Sequence, residues 1–287
     1  MNLHNARAEF YVPDGVEEQQ ALSRITHLGI GAHHDDLEFM AFHGIKECYH
    51  HPNQQWFGGV TCTDGTGSSR TGRYAAFSDE KMRDVRREEQ RSAAVVGQYA
   101  AIFQLDYPSA LLRGDSASFL VDDLEQILRA SQPEVVYTHN PADKHTTHLS
   151  VLAAVLAAIR RLSADLRPKS LLGCEGWRGL DWLDDGEKVK LDVSGHDHLA
   201  AALNGLFDSQ IAGGKRYDLA TLGRRSANAT FLNSHASDQS SQLCLAMDLT
   251  PLILDDALDP VAFTLGAVDR FRDDVRTRLS SAFQVIA

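Results

Sequence analysis

Short apolar runs alternate with helix-like stretches over the first half of this chain. The runs lie at residues 25–31, 56–63, 102–105 and 134–139. Between them, apolar positions recur every three to four residues, the spacing of one buried helix face. The runs predict strands and the intervening stretches predict helices. One helix starts after Ser78 and stops near Gly97, with Met82, Val85, Ala93 and Val96 on one face. Ser78 is a suitable N-cap, and Asp79 and Glu80 complement the helix dipole in the first turn. A second covers 119–128 with Leu120, Leu124, Ile127 and Leu128 inward, and an Ala/Leu-rich third covers 148–162. Such alternation predicts βαβ units, hence an α/β fold: a Rossmann-like, doubly wound, mostly parallel sheet flanked by helices.

The rhythm changes after Pro168. Residues 170–177 and 188–193 read as strands around an acidic turn, and 198–207 as a helix. Residues 211–240, rich in Gly, Ser, Asn and Arg, read as mostly loop. Asp259 as N-cap and Pro260 at the first helical position open a last amphipathic helix running to about Phe283. The Gly/Ser-rich, basic residues 66–77 read as a long mobile loop. The organisation expected is one domain over 20–287, with a core at 20–165 and a loop-rich, substrate-side extension at 166–287, preceded by an N-terminal extension at 1–19.

Composition narrows the function classes. The 287 residues are 43% hydrophobic and 23% charged, as in an ordinary soluble protein. A net charge of −11 argues against nucleic acid, which calls for clustered Lys and Arg. No apolar stretch approaches the ~20 residues of a membrane span, and the polar first eighteen residues lack a signal-peptide core. Cys48, Cys62, Cys174 and Cys244 are scattered, with no Cys-x-x-Cys pair, so reduced thiols in a cytoplasmic protein are expected. Nothing in the sequence opposes a homo-oligomer.

The candidate chemistry sits at two corners. Residues 32–38 (Ala-His-His-Asp-Asp-Leu-Glu) follow the first strand. Residues 138–148 (Thr-His-Asn-Pro-Ala-Asp-Lys-His-Thr-Thr-His) leave the fourth strand and enter a helix. In an open parallel sheet, functional groups collect outside the carboxyl ends of the strands. His33, Asp36 and His148 make a two-His, one-carboxylate set with a position left for water, the pattern of a catalytic rather than a structural zinc site.

These two motifs, with the 86–94 helix (Arg-Arg-Glu-Glu-Gln-Arg-Ser-Ala-Ala) and the Thr63-Asp64-Gly65 corner, resemble the PIG-L/LmbE-like de-N-acetylases from about residue 28 to 162. The resemblance implies zinc-dependent hydrolysis of an N-acetyl group, a linear amide rather than a peptide, on a small glucosamine-containing molecule. By matching positions it makes His33, Asp36 and His148 the metal ligands and Asp35 the general base. His145 would stabilise the tetrahedral intermediate or protonate the leaving amine. His₂Asp ligation also admits Fe²⁺ or another divalent ion. The chain departs from the pattern at His34, where Pro or Ala is usual, and at Thr147, where Asp is common; Asp143 or a backbone carbonyl would then orient a ligand.

Arg86, Asp143 and Trp177 are the candidate substrate contacts. For Arg86 a solvated i,i+3 ion pair with Glu89 is the competing and favoured reading; for Trp177, core packing. Three other functions stay in view. His196-Asp197 suggests a metal-dependent phosphohydrolase, which would need an all-helical setting. A catalytically inactive sugar-binding protein on the same fold is another. Gly29-Ile-Gly31 begins a nucleotide-binding fingerprint, but His34 occupies its third glycine position.

Overall fold

The computed structural model describes residues 1–114 and 117–284. Eight strands form one sheet: β1 Glu9–Tyr11, β2 His27–Gly31, β3 Phe57–Thr63, β4 Ala101–Tyr107, β5 Val135–His139, β6 Ser170–Cys174, β7 Lys188–Asp192 and β8 Leu243–Asp248. Their order is β1-β4-β3-β2-β5-β6-β8-β7. The five central strands, β4 through β6, pair in parallel, while β1, β8 and β7 pair antiparallel at the two margins. Residues of β2, β3 and β4 are buried throughout, so both faces of the sheet are covered. The expected α/β fold with a mostly parallel sheet is what forms.

Elements rich in local signals lie where the sequence places them. The helix Asp79–Val96 is capped by Ser78, whose side chain accepts from the Lys81 N–H. Ser118–Ser131 turns Leu120, Leu124, Ile127 and Leu128 inward, and Thr146–Arg161 packs against it. The last helix, Pro260–Gln284, starts with the Asp259 carboxylate accepting from the Ala262 N–H. The expected domain limits run to 287, of which residues 285–287 lie outside the described part.

One expectation fails. Within 211–240, residues Tyr217–Phe231 form a 15-residue helix. Its fully buried positions are only Arg225 and Ala229, so no apolar stripe announces it. Residues 66–77, read as a long loop, contain a short 3₁₀ turn at Gly72–Tyr74 and make contacts along their length. Arg70 donates to the Phe77 carbonyl at 3.0 Å and to Asp79 at 2.6 Å. Farther along, Thr71 Oγ1 reaches the Ala212 carbonyl at 3.2 Å, the Tyr74 hydroxyl donates to Asp208 at 2.6 Å, and Arg73 pairs with Asp208. The segment is thereby pinned to the C-terminal third of the chain.

β2 and β5 are adjacent, but the chain leaves β2 toward β3 and leaves β5 toward β6. The crevice between their carboxyl ends is therefore the topological switch point, where open α/β sheets bind ligands. Both sequence motifs open into it.

Candidate active site

β2 ends in a turn that enters the five-residue helix Asp36–Met40. Asp35 makes this turn with φ 90° and ψ −26°, a left-handed conformation that side chains other than Gly seldom adopt. It lets Asp36 fold back so that its Oδ2 accepts the His33 N–H at 2.7 Å. Across the crevice, Thr146–Arg161 delivers His148 in its first turn.

Three donor atoms now face one another. His33 Nδ1 lies 3.2 Å from His148 Nε2 and 3.3 Å from Asp36 Oδ2, and His148 Nε2 lies 3.6 Å from Asp36 Oδ2. Adjacent ligands of a tetrahedral zinc ion, at its usual bond lengths, are about 3.3 Å apart. The set fits a divalent cation. Two overlapping groups also come close enough to share one, His33 with His145 and His148, and Asp36 with His139 and His148. His139 is disqualified by its own bonding, because its Nε2 accepts the Ala32 N–H at 3.0 Å.

Asp143 closes the set from behind. Its Oδ1 accepts the His145 N–H at 2.9 Å, and its Oδ2 accepts the Trp177 N–H at 2.9 Å and lies 3.4 Å from His148 Nδ1. A carboxylate on the far nitrogen of an imidazole fixes its tautomer and orientation. Thr147, standing where Asp is common, therefore leaves no gap. Burial alone would lower the His148 pKa, but Asp36 and Asp143 outweigh it and raise it. Burial raises the Asp36 carboxyl, yet the His148, His139 and His33 imidazoles hold it well below the usual carboxylate range.

Asp35 faces the same crevice without joining the donor triangle. Burial pushes its carboxyl up to about 8 against the pull of the Arg86 guanidinium. Arg86 is 1% exposed; its Nη2 lies 3.2 Å from Asp35 Oδ2 and donates to the His34 carbonyl. Its Nη1 stands 3.7 Å from Glu89. The i,i+3 pair exists, but it is buried rather than solvated, because Met82, Arg86, Gln90 and Ala93 form the inner face of that helix. Gln90 in turn accepts the Asp35 N–H at 3.3 Å and donates to Glu38 at 2.8 Å, which also receives the Tyr99 hydroxyl at 2.7 Å. Gly65, at φ +70°, leaves room for Arg86; a Cβ there would come within 2.9 Å of Arg86 Cγ.

His34 is buried and points away from the cavity wall toward β4, its Nε2 3.1 Å from Gln104 Oε1. Gln104 donates onward to Glu9 of β1 at 3.0 Å. His145 stands at the cavity, its ring 4.8 Å from that of His33 and 4.6 Å from that of His148. Burial and the neighbouring imidazoles push its pKa down to about 4. A cavity of about 880 Å³ opens over these groups, bounded by His33, Asp35, His145, His148, Trp177 and Tyr217 among others.

Of the residues singled out in the sequence, His33, Asp35, Asp36, His145 and His148 converge, with Arg86 and Trp177 also on the cavity wall. Asp143 does not line it, and both its oxygens are engaged within the protein. His196 and Asp197 lie outside the cavity. Sequence reasoning missed Gln90, Glu38 and His139. The signal for Gln90 was its four-residue step from Arg86, itself four from Met82. All four cysteines are buried and unbridged, and no described helix is long and apolar enough to cross a membrane.

Residues 28–159 match the sequence profile of the family described as PIG-L, GlcNAc-PI de-N-acetylase. No curated protein matches the chain by sequence. Solved structures with the same fold include a conserved protein from Thermus thermophilus (17% identity, 82% of this chain and 99% of that one, TM-score 0.61). N,N'-diacetylchitobiose deacetylase from Pyrococcus horikoshii shares 16% identity over 83% of this chain and 87% of its own, with TM-score 0.60. The 4-carboxy-2-hydroxymuconate hydratase GalB from Pseudomonas putida shares 18% over 78% and 95%, also at 0.60. The profile match spans both motifs at the switch point of this sheet, so residues 28–159 of the chain are similar to the PIG-L family.

Proposed function

We propose that this protein is a metal-dependent amidohydrolase that releases acetate from an N-acetylated amino sugar or its conjugate. His33, Asp36 and His148 would hold the cation, zinc or another divalent ion such as Fe²⁺. The observation carrying the reading is the donor triangle of 3.2, 3.3 and 3.6 Å with a separate carboxylate, Asp35, beside it. A divalent ion there would supply Lewis-acid polarisation of the acetyl carbonyl and acidify water.

The side chains account for the rest. Asp35 takes the proton of the attacking water and passes it to the leaving amine. Arg86 and Gln90 hold Asp35 from opposite sides. His145 stands where it can donate a hydrogen bond to the developing oxyanion. Support for acetyl removal comes from the family match and from the deacetylase among the similar folds. The similar hydratase shows that this fold also hosts water addition.

The deciding experiment measures acetate and free amine from a panel of N-acetyl sugars, alongside metal content. Wild type should carry about one divalent ion per chain and release both products in equal amounts. Asp35→Asn should keep the metal and lose turnover by roughly 10²–10⁴-fold; His148→Ala should lose the metal. An active Asp35→Asn enzyme would overturn the assignment of the base, and water addition without acetate would overturn the reaction.

A further inference from the structure

Three loops meet at the cavity mouth. Trp177 follows β6, Lys144 lies in the loop after β5, and Lys215 precedes the helix Tyr217–Phe231. All three line the cavity. The Lys215 Nζ sits 5.1 Å and the Lys144 Nζ 6.0 Å from the centre of the Trp177 ring. That ring lies one step beyond the reacting centre, 6.3 Å from the His145 ring and stacked upon it.

Neither lysine forms an ion pair among the described residues. Of the chain's other lysines, Lys46, Lys169 and Lys188 are each paired with a carboxylate, and Lys81 and Lys190 form no ion pair among the described residues. Asp143, behind the cavity wall, is engaged by backbone N–H groups, and Glu175 in the lining by Asn228 at 2.6 Å. An aromatic face holds an ammonium in place without neutralising it, as a carboxylate would. Two exposed cations without a direct ion pair thus overlook a concave site whose lining also includes Asp35, Asp36 and Glu175. Arg86, Arg113, Arg224 and Arg225 also line the cavity.

We propose that Lys144 and Lys215 form an anion subsite that receives a phosphate or carboxylate borne by the same molecule whose acetyl group is removed. This rests on the amidohydrolase reading and narrows it to acidic N-acetyl sugars. Trp177 is the positioning residue of the pair.

The test compares N-acetylglucosamine 6-phosphate, N-acetylmuramic acid and neutral N-acetylglucosamine as substrates. It is paired with calorimetric binding of glucosamine 6-phosphate and of glucosamine to protein freed of metal by chelation. At low salt, at least one acidic compound should exceed the neutral one in kcat/KM by about 10-fold, and the advantage should shrink as salt rises. In the Lys144→Gln/Lys215→Gln variant the acidic-to-neutral ratio should fall to within about 2-fold, with glucosamine 6-phosphate binding weakened by about 10-fold. Trp177→Leu, which keeps both charges but removes their platform, should lower the ratio by a smaller factor.

A phosphate-only preference and a carboxylate-only preference both support the subsite and tell the two chemistries apart. Equal turnover of neutral and acidic sugars, or a ratio untouched by the double variant, overturns it while leaving the amidohydrolase standing. Lysine-dependent binding of glucosamine 6-phosphate with no acetate from any compound keeps the subsite and sinks the amidohydrolase.

Discussion

Arg86 Nη2 lies 3.2 Å from Asp35 Oδ2 while donating to the His34 carbonyl, so one guanidinium holds the backbone before Asp35 and the side chain after it. A residue at φ 90° needs such over-determination to persist. Removing the cation would leave the buried Asp35 without its charge partner, while half-buried Glu89 keeps its hydrogen bonds from Ser209. Arg86→Met should therefore destabilise the fold by about 3–5 kcal/mol, a fall in Tm of roughly 10 °C. Arg86→Lys should stay folded yet lose roughly 10-fold or more in kcat, since a point charge cannot reproduce the two-pronged grip. Calorimetry and steady-state kinetics check both; an Arg86→Lys enzyme with normal kcat would contradict the positioning role.

Gly65 tests the same arrangement from the other side. An alanine there would be held at φ +70° and would press on Arg86. The backbone strain costs about 1–2 kcal/mol, and displacement of Arg86 should lower kcat with little change in KM. A crystal structure of Gly65→Ala should show the guanidinium moved off Asp35.

Asp143→Asn should weaken divalent metal affinity by roughly 10–100-fold, as loss of a ligand-orienting carboxylate does elsewhere. The amide still offers one oxygen to the His145 or Trp177 N–H, so the fold should hold. Competition against a chromogenic chelator measures this, and unchanged affinity would show that Asp143 is a loop anchor only.

His43 sets one limb of the acid stability curve. Burial lowers its pKa from the ordinary 6.5 to about 4, its Nδ1 meeting the Tyr137 hydroxyl at 3.0 Å. Below pH 6.5 the unfolded chain takes a proton that the folded one refuses, so this contribution is complete above about 6.5 and declines toward pH 4. The loss is at most about 3 kcal/mol. With metal chelated from both proteins, His43→Gln should show a shallower fall in urea midpoint between pH 6.5 and 4; parallel curves would assign that limb to other histidines.

The legible parts of this molecule were those written in local spacing. His33 and Asp36 are three residues apart, as are His145 and His148, and each corner follows a run apolar enough to be a strand. The inner four strands and the helices between them follow from the same short-range signals. What stayed hidden depends on contacts across the fold. Arg86 sits among Arg83, Arg87, Glu88 and Arg91, which is how a solvated helix face reads, and only the packing of His34 and Asp35 over it shows that it is buried. The helix Tyr217–Phe231 was missed because its most deeply buried side chain is Arg225, donating to the Glu38 carbonyl at 2.7 Å. His139 is removed from the ligand set by an N–H that lies 107 positions away.

β1 carries a consequence for how short this protein can be made. Glu9 bonds Gln104 at 3.0 Å, and Gln104 meets His34 at 3.1 Å, so the start of the chain stands two handshakes from the residue before Asp35. A chain trimmed to begin at residue 20 would uncover the free margin of β4 to other molecules and release the brace behind His34. Its self-association and its loss of turnover would then arrive together, as one defect seen from two ends.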